Sequence, residues 1–451
     1  MGIRWLVVVF GLLGICGCGE DVSVPDLTYA CHIASYTNDS GQVVDIAPLS
    51  VAGLRWRASS GETGRITPDG SGVWSGTRGW TEDASPVRIR FGDCPGVALE
   101  LTGLPGFNGT YTRQRPEVFD TRFVSHDLTL AGRLVLPRVS GPVTVVVLVH
   151  GSERSSALDF NHLQRLLPAL GVGAFVYDKR GTGASDGDYT QNFELLADDA
   201  AAALAEARRL AGSRAARVGY QGASQGGWVA PLAATRSAAD FVAVSFGMLE
   251  SPLIEDAMQA QLDVQALGYD DDVLVKVREL TDATGRVLAS DFKEGADELA
   301  ALKQAYSDEE WFDAVRGEVT GHMLSAPLWG FRFVYQYVLG ADTSWGYEPM
   351  PTARSIDVPV LWVVAADDVE APPQGTLRAL AELQTEQRDV AVAVFPDSDH
   401  GILNYIETAA GRVSTRYADG YFRLLADWLR SGELQGAYGS ATVVPSPVND
   451  L

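Results

Sequence analysis

The 451-residue sequence predicts an α/β protein: a doubly wound, mostly parallel sheet with a helical insertion, preceded by a small β-rich module. Three observations predict it. From about residue 118, short apolar runs alternate with helical stretches, and strands apolar on both faces belong to parallel sheets covered on both sides. Residues 20 to about 116 have a different texture, rich in Gly, Ser, Thr and Asp, with short apolar runs such as "VALELTGL" and turn signals such as "TPDGSG" and "WSGTRGW". Finally, about 110 residues between two of the apolar strands carry amphipathic helical patterns instead.

Taken in order, "TRFVSHD" and "LTLAGRLVLP" predict an antiparallel hairpin leading into the sheet. Then "VTVVVLVHG" (143–151) is a buried strand, "ALDFNHLQRLLPAL" (157–170) a helix and "GAFVYDKRG" (173–181) the next strand. The segment 192–212 is a long helix, and "ARVGYQGAS" (216–224) is a strand running into a helix over 225–236. "FVAVSFG" (241–247) and "VPVLWVVAA" (358–366) are further strands, with the inserted helices 254–268, 271–289 and 296–306 between them. The expected organisation is a leader over 1–17, a β-rich module over 18–116, the α/β domain over 117–432 with its insertion at about 250–355, and a flexible tail over 433–451. Trp56, Trp74 and Trp80 form either a binding face of the module or, more commonly for tryptophans in a small β domain, its core.

Hydrophobic and charged contents of 46% and 21% are those of a globular protein. A net charge of −23 with only four lysines repels polyphosphate, so a nucleic-acid partner is not supported. At the N-terminus Arg4 precedes an apolar run from Trp5 to Ile15 that is too short to span a bilayer. Ile15-Cys16-Gly17-Cys18 follows and resembles the bacterial lipobox, with Gly17 before Cys18 and Ile15 three positions back; Cys16 fits poorly, because the bulky Ile15 precedes it. The resemblance implies lipidation of Cys18 and a membrane-anchored lipoprotein of a bacterial envelope. The alternative is a plain signal peptide and a secreted or periplasmic protein. In either case the chain is exported, and its remaining cysteines, Cys31 and Cys94, read as a disulfide. No cysteine lies beyond residue 94, so the α/β region offers no thiol nucleophile and no thiolate metal site.

Gly222-Ala223-Ser224-Gln225-Gly226 matches G-x-S-x-G at the junction of an apolar strand and a helix. There Ser224 would sit at a helix N-terminus, whose field favours developing negative charge, with the Gln225 N–H aimed at a substrate oxyanion. The competing reading is a structural glycine-rich turn. A serine nucleophile needs a base, and of six histidines His400 is the best placed. It follows a strand near the chain's end and reaches the rim of the sheet where open α/β folds keep their sites. The acid that would orient it lies in "VPVLWVVAADDVEAPP", where Asp367 and Asp368 compete.

"VHGSE", "YDKRGTGAS", "GASQGGWVAPLAA", "VPVLWVVAADD" and "DSDHG" stand in the order and spacing of the α/β-hydrolase superfamily. Over about residues 118–432 the chain resembles its bacterial esterases and serine-aminopeptidase-like members. The resemblance implies Ser224 as nucleophile, His400 as base and Asp368, four residues before Pro372, as acid; Ala365 stands where the family usually has glycine. It implies a second oxyanion N–H from Ser152, and a structural role for "YDKRGTGASDGD" in which Asp178 and Arg180 position the oxyanion segment. A dinucleotide fingerprint is disfavoured there, since the third glycine falls at Gly187. The insertion is implied to be a lid, whose Trp329, Phe331 and Phe333 line an acyl pocket or form the lid's own core. No HExxH or clustered ligand set occurs, so neither metal nor cofactor is implied.

The expected function is hydrolysis of carboxylic esters through an acyl-enzyme. The alternative is aminopeptidase-like cleavage of short peptides by the same triad, which needs a carboxylate for the substrate's ammonium; Glu250, Glu255 and Asp256 are candidates. From a different class comes a non-catalytic surface lipoprotein that displays the N-terminal module.

Overall fold

The computed structural model describes residues 23–94, 96–335, 342–409 and 411–450. Cys18 and the leader lie outside the described residues. Among the described residues no helix is long and apolar enough to cross a membrane.

The N-terminal module is a closed antiparallel barrel of eight strands: β1 (Ala34–Thr37), β2 (Val43–Pro48), β3 (Leu54–Ala58), β4 (Thr63–Pro68), β5 (Trp74–Gly76), β6 (Arg88–Phe91), β7 (Ala98–Thr102) and β8 (Gly109–Arg113). Alternation explains it: Leu54, Trp56 and Ala58 of β3 enter the barrel core, while Arg55 and Arg57 point outward. Trp56 and Trp74 are core residues, whereas Trp80 stacks under Arg55 and against Tyr417 outside the barrel. Cys31 and Cys94 are disulfide-linked with Cα atoms 5.6 Å apart.

The second unit begins with the hairpin β9 (Glu117–Ser125) and β10 (Leu128–Leu136). Next come β11 (Val143–Val149), α1 (Ala157–Phe160), α2 (Leu163–Ala169), β12 (Gly173–Tyr177), α3 (Phe193–Ala211), β13 (Ala215–Ala223), α4 (Gly226–Ala234) and β14 (Val242–Ser245). The helix expected over 157–170 is broken at Asn161–His162, where the Asn161 side chain accepts the Leu163 N–H and starts a new helix. After β14 the inserted helices follow: α5 (Pro252–Ala266), α6 (Asp271–Ala289), α7 (Ala296–Tyr306), α8 (Thr320–Ser325) and α9 (Leu328–Tyr335). They have a core of their own, including Val264, Leu280, Val287 and Trp311. The insertion ends before the expected residue 355: α10 (Pro349–Ser355) returns to the sheet, and Ala353 joins the main core.

The chain closes with β15 (Val360–Ala365), α11 (Pro373–Thr385), β16 (Val390–Phe395), β17 (Ser398–Asp399), β18 (Leu403–Thr408), β19 (Gly411–Tyr417), α12 (Tyr421–Ser431) and β20 (Thr442–Val444). The main sheet has nine strands in the order β20-β16-β15-β14-β13-β11-β12-β10-β9. Strands β11 to β16 run parallel; β10 and β20 pair antiparallel with the two ends of this set, and β9 pairs antiparallel with β10. The expectation of a flexible tail over 433–451 is therefore corrected: Tyr438 is buried in the core and β20 pairs with β16.

Barrel and sheet are joined by charge and backbone. Arg165 of α2 reaches the fully buried Asp45 of β2 at 2.8 Å, and Arg57 approaches the same carboxylate at 3.4 Å. On another side the Tyr417 and Trp80 N–H groups donate across the junction to Gly61 and Ser414, and Arg416 pairs with Glu62.

Candidate active site

Ser224 occupies the turn between β13 and α4 with φ +52°, a left-handed conformation unusual for a residue with a side chain. The turn is held by the Ser224 N–H donating to the Ser245 carbonyl at 3.1 Å and the Gly227 N–H donating to the Ser224 carbonyl at 2.7 Å. Both flanking glycines are required by space. A Cβ on Gly222 would stand 2.1 Å from the Gly226 carbonyl oxygen, and one on Gly226 would stand 2.3 Å from that of Val149. Gln225 is the N-cap of α4, so its N–H is among the first amides of a helix that have no intrahelical partner. Its buried side-chain oxygen has no hydrogen-bond partner among the described residues.

His400 follows β17, and its Nδ1 lies 2.9 Å from Asp368 Oδ2. Asp368 Oδ1 in turn accepts the Glu370 and Ala371 N–H groups at 3.0 and 2.7 Å. Asp367 is turned elsewhere, accepting from the Tyr405 hydroxyl at 3.1 Å. The two loops are tied by Asp399, whose Oδ1 accepts the N–H groups of both Val369 (3.1 Å) and His400 (2.9 Å). Arg412 of β19 braces the pair from outside, 3.2 Å from Asp399 Oδ2. Neither Asp399 nor Arg412 stood out in the sequence; the carboxylate two residues before Gly401 was visible, its two backbone partners were not.

Ser224 and His400 line one cavity of about 470 Å³, together with Ser152, Phe246, Glu370 and Tyr421. The Ser224 hydroxyl makes no hydrogen bond among the described residues, and His400 Nε2 lies 3.3 Å from Glu370 Oε2. Apo hydrolase sites often leave this bond to be made when substrate binds. Burial lowers the His400 imidazole, but Asp368, then Glu370 and Glu255, outweigh it and raise its pKa to about 9.

The segment after β11 carries Ser152. Lys179 Nζ donates to the Gly151 carbonyl at 2.6 Å, and the Tyr189 hydroxyl to the Ser152 carbonyl at 2.6 Å. Glu153 sits 3.3 Å from His150 Nδ1; desolvation opposes its ionisation, but His150 and Lys179 bring its carboxyl down to about 2. The role expected for Arg180 is corrected. It makes a two-pronged bond to the buried Asp199 of α3 at 2.7 Å, and its neighbour Lys179 is the side chain that reaches the oxyanion segment. Asp178 acts next door, accepting from Ser156 Oγ and the Leu158 and Ala184 N–H groups.

The expected pocket lining is also corrected. Trp329 is 80% exposed and Phe331 is packed in the core of the insertion, and neither belongs to the cavity wall around Ser224. The Phe333 side chain lies outside the described residues.

Of the acidic candidates on the insertion, Asp256 accepts the Val319 and Thr320 N–H groups at the start of α8, and Glu250 lies by Arg378. Glu255 alone of the three faces His400. Burial first, then Glu318, pushes its carboxyl well above the usual range; Glu318 is itself raised by burial and by Glu370. Among the described residues one His/Cys group comes together, Cys31, His32 and Cys94, and both of its sulfurs are in the disulfide.

A strand–turn–helix serine on a parallel sheet, with a histidine–aspartate pair on the same rim, is the arrangement of the α/β-hydrolase superfamily. Residues 140–407 match the family model "serine aminopeptidase, S33", and the chain belongs to that family. No curated protein matches its sequence. Solved structures similar to it include the acylaminoacyl peptidase of Pyrococcus horikoshii, 17% identical over 90% of this chain and 56% of that one, with TM-score 0.43. Others are the esterase Pf2001 of Pyrococcus furiosus, 15% identical over 63% and 85% with TM-score 0.39, and Est1E of Butyrivibrio proteoclasticus with ferulic acid bound, 15% identical over 68% and 96% with TM-score 0.38. The chain spans 56% of the acylaminoacyl peptidase's length.

Proposed function

We propose that the protein is a serine hydrolase that cleaves carboxylic esters through an acyl-enzyme on Ser224. The observation that carries this reading is Ser224 at φ +52° in a turn its two glycines make possible, beside a cavity it shares with the Asp368-paired His400. His400 Nε2 takes the Ser224 proton as Oγ attacks the acyl carbon. The tetrahedral oxyanion is held by the N–H groups of Gln225 and Ser152. The imidazolium, oriented by Asp368, then protonates the leaving alcohol, and water attacks the acyl-enzyme with His400 again as base.

A second reading is favoured by a specific feature, the carboxylates Glu255, Glu318 and Glu370 gathered around His400. Such a group suits a substrate that brings a cation, as the free ammonium of a short peptide does. Its arrival would compensate three acids that otherwise repel one another. A panel of p-nitrophenyl esters of graded chain length, set beside aminoacyl-anilides, separates the two. Hydrolysis of the simple esters is the expected result, and hydrolysis confined to the anilides would replace it with the peptidase reading.

A further inference from the structure

Away from the site, a cleft of about 1200 Å³ opens where the barrel meets β10, α2 and α12. In a chain of net charge −23, its wall holds seven arginines against two acids, Asp159 and Asp427. Three of these arginines are neutralised: Arg133 by Asp120, Arg165 by Asp45 and Arg430 by Asp427. The other four are not. Arg113 donates to the carbonyls of Cys31 and Ile33, and Arg423 to that of Ala437, contacts that leave their charge uncompensated. Arg115 and Arg138 are exposed and make no hydrogen bond or ion pair among the described residues.

The same wall carries large apolar side chains that folding leaves in water. Leu27 is 59% exposed, Val118 51% and Val139 49%. Uncompensated guanidinium groups beside exposed aliphatic ones match a membrane interface, where phosphates meet the start of the acyl region. A free anion or an acidic polysaccharide would make use of the arginines and leave the apolar rim unexplained. The chain also enters at this cleft, since Pro25 and Leu27 belong to its wall. Cys18, the expected lipid site, stands nine residues before Leu27. That is at most about 30 Å of extended chain.

We propose that this face docks on an anionic phospholipid surface, with Arg113, Arg115, Arg138 and Arg423 toward the phosphates and Leu27, Val118 and Val139 at the acyl boundary. The assignment is independent of what Ser224 hydrolyses. The full chain, reconstituted in nanodiscs of phosphatidylcholine or of equal parts phosphatidylcholine and phosphatidylglycerol, is followed by hydrogen exchange over residues 112–118 and 135–139. Exchange is expected to slow only on the anionic discs, by about fivefold per engaged arginine, and to recover in high salt. The double variant R115E/R138E breaks no hydrogen bond or ion pair among the described residues, so it is expected to lose the protection while Ser224 labels with fluorophosphonate as in wild type. Equal protection on both lipids, or protection retained by the double variant, would overturn the proposal. So would the same protection from inorganic phosphate or a soluble acidic polysaccharide without discs.

Discussion

Lys179 Nζ donates to the Gly151 carbonyl at 2.6 Å, on the peptide unit whose other end is the Ser152 N–H. A cation on that oxygen fixes the peptide plane and draws electrons from it, which makes the N–H a stronger donor. In the proposed mechanism Lys179 is therefore a positioning residue for the oxyanion.

Lys179→Met should lower kcat by about tenfold to hundredfold, somewhat less than the loss of a direct oxyanion donor. KM should change little, because the interaction matters most once the oxyanion forms. Steady-state kinetics on a p-nitrophenyl ester checks this; a KM effect with kcat preserved would assign Lys179 to substrate binding instead.

The acids around His400 set a pH dependence. Its pKa is raised to about 9, and the base form is the neutral imidazole, so kcat/KM should rise with pH and reach half its plateau near 9. The stability linkage has the opposite sense. The folded pKa lies above the unfolded one, so the stabilisation that the charged ring draws from its carboxylates is present below about 6.5 and lost as pH rises through 9. Glu370→Gln removes one of the raising charges and should move the kcat/KM midpoint down by about one unit. An unmoved midpoint would mean that Glu370 does not act on His400 in solution.

The Cys31–Cys94 link closes a 63-residue separation within the barrel. In the chain-entropy account such a loop is worth about 4 kcal/mol. C31S/C94S should lower the thermal unfolding midpoint and make it insensitive to reductant, while the folded protein keeps its Ser224 labelling. A midpoint equal to that of the oxidised wild type would show that the link carries no stability.

Much of the sheet was legible because parallel strands buried on both faces are continuous apolar runs, and the Ser224 turn because its two glycines stand in a short pattern at the junction of an apolar strand and a helix, although the Val149 carbonyl that Gly226 must clear is remote in sequence. What stayed hidden depends on contacts remote in sequence. The N-terminal segment showed as a β-rich module of short strands but not as a closed barrel, since closure is made by β1 meeting β8 across 70-odd residues. Arg180 and Lys179 are adjacent, and only the fold shows which one turns to Gly151 and which to Asp199. The rings of α9 are equally apolar toward a pocket or toward a core, and pattern alone cannot choose between them. Asp367 and Asp368 were separated by resemblance; in the structure their separation rests on Tyr405 and Arg412, from a hairpin that carried no motif.

In the proposed mechanism Ser224 is the nucleophile. Full-length wild type and Ser224→Ala are treated with a fluorophosphonate probe, and the adduct is located by mass spectrometry of the digest. A single adduct on Ser224 is expected in the wild type and none in the variant, with loss of ester hydrolysis by about 10⁴-fold or more and the fold intact. An unlabelled but folded wild type, or an adduct and turnover that survive Ser224→Ala, would contradict it.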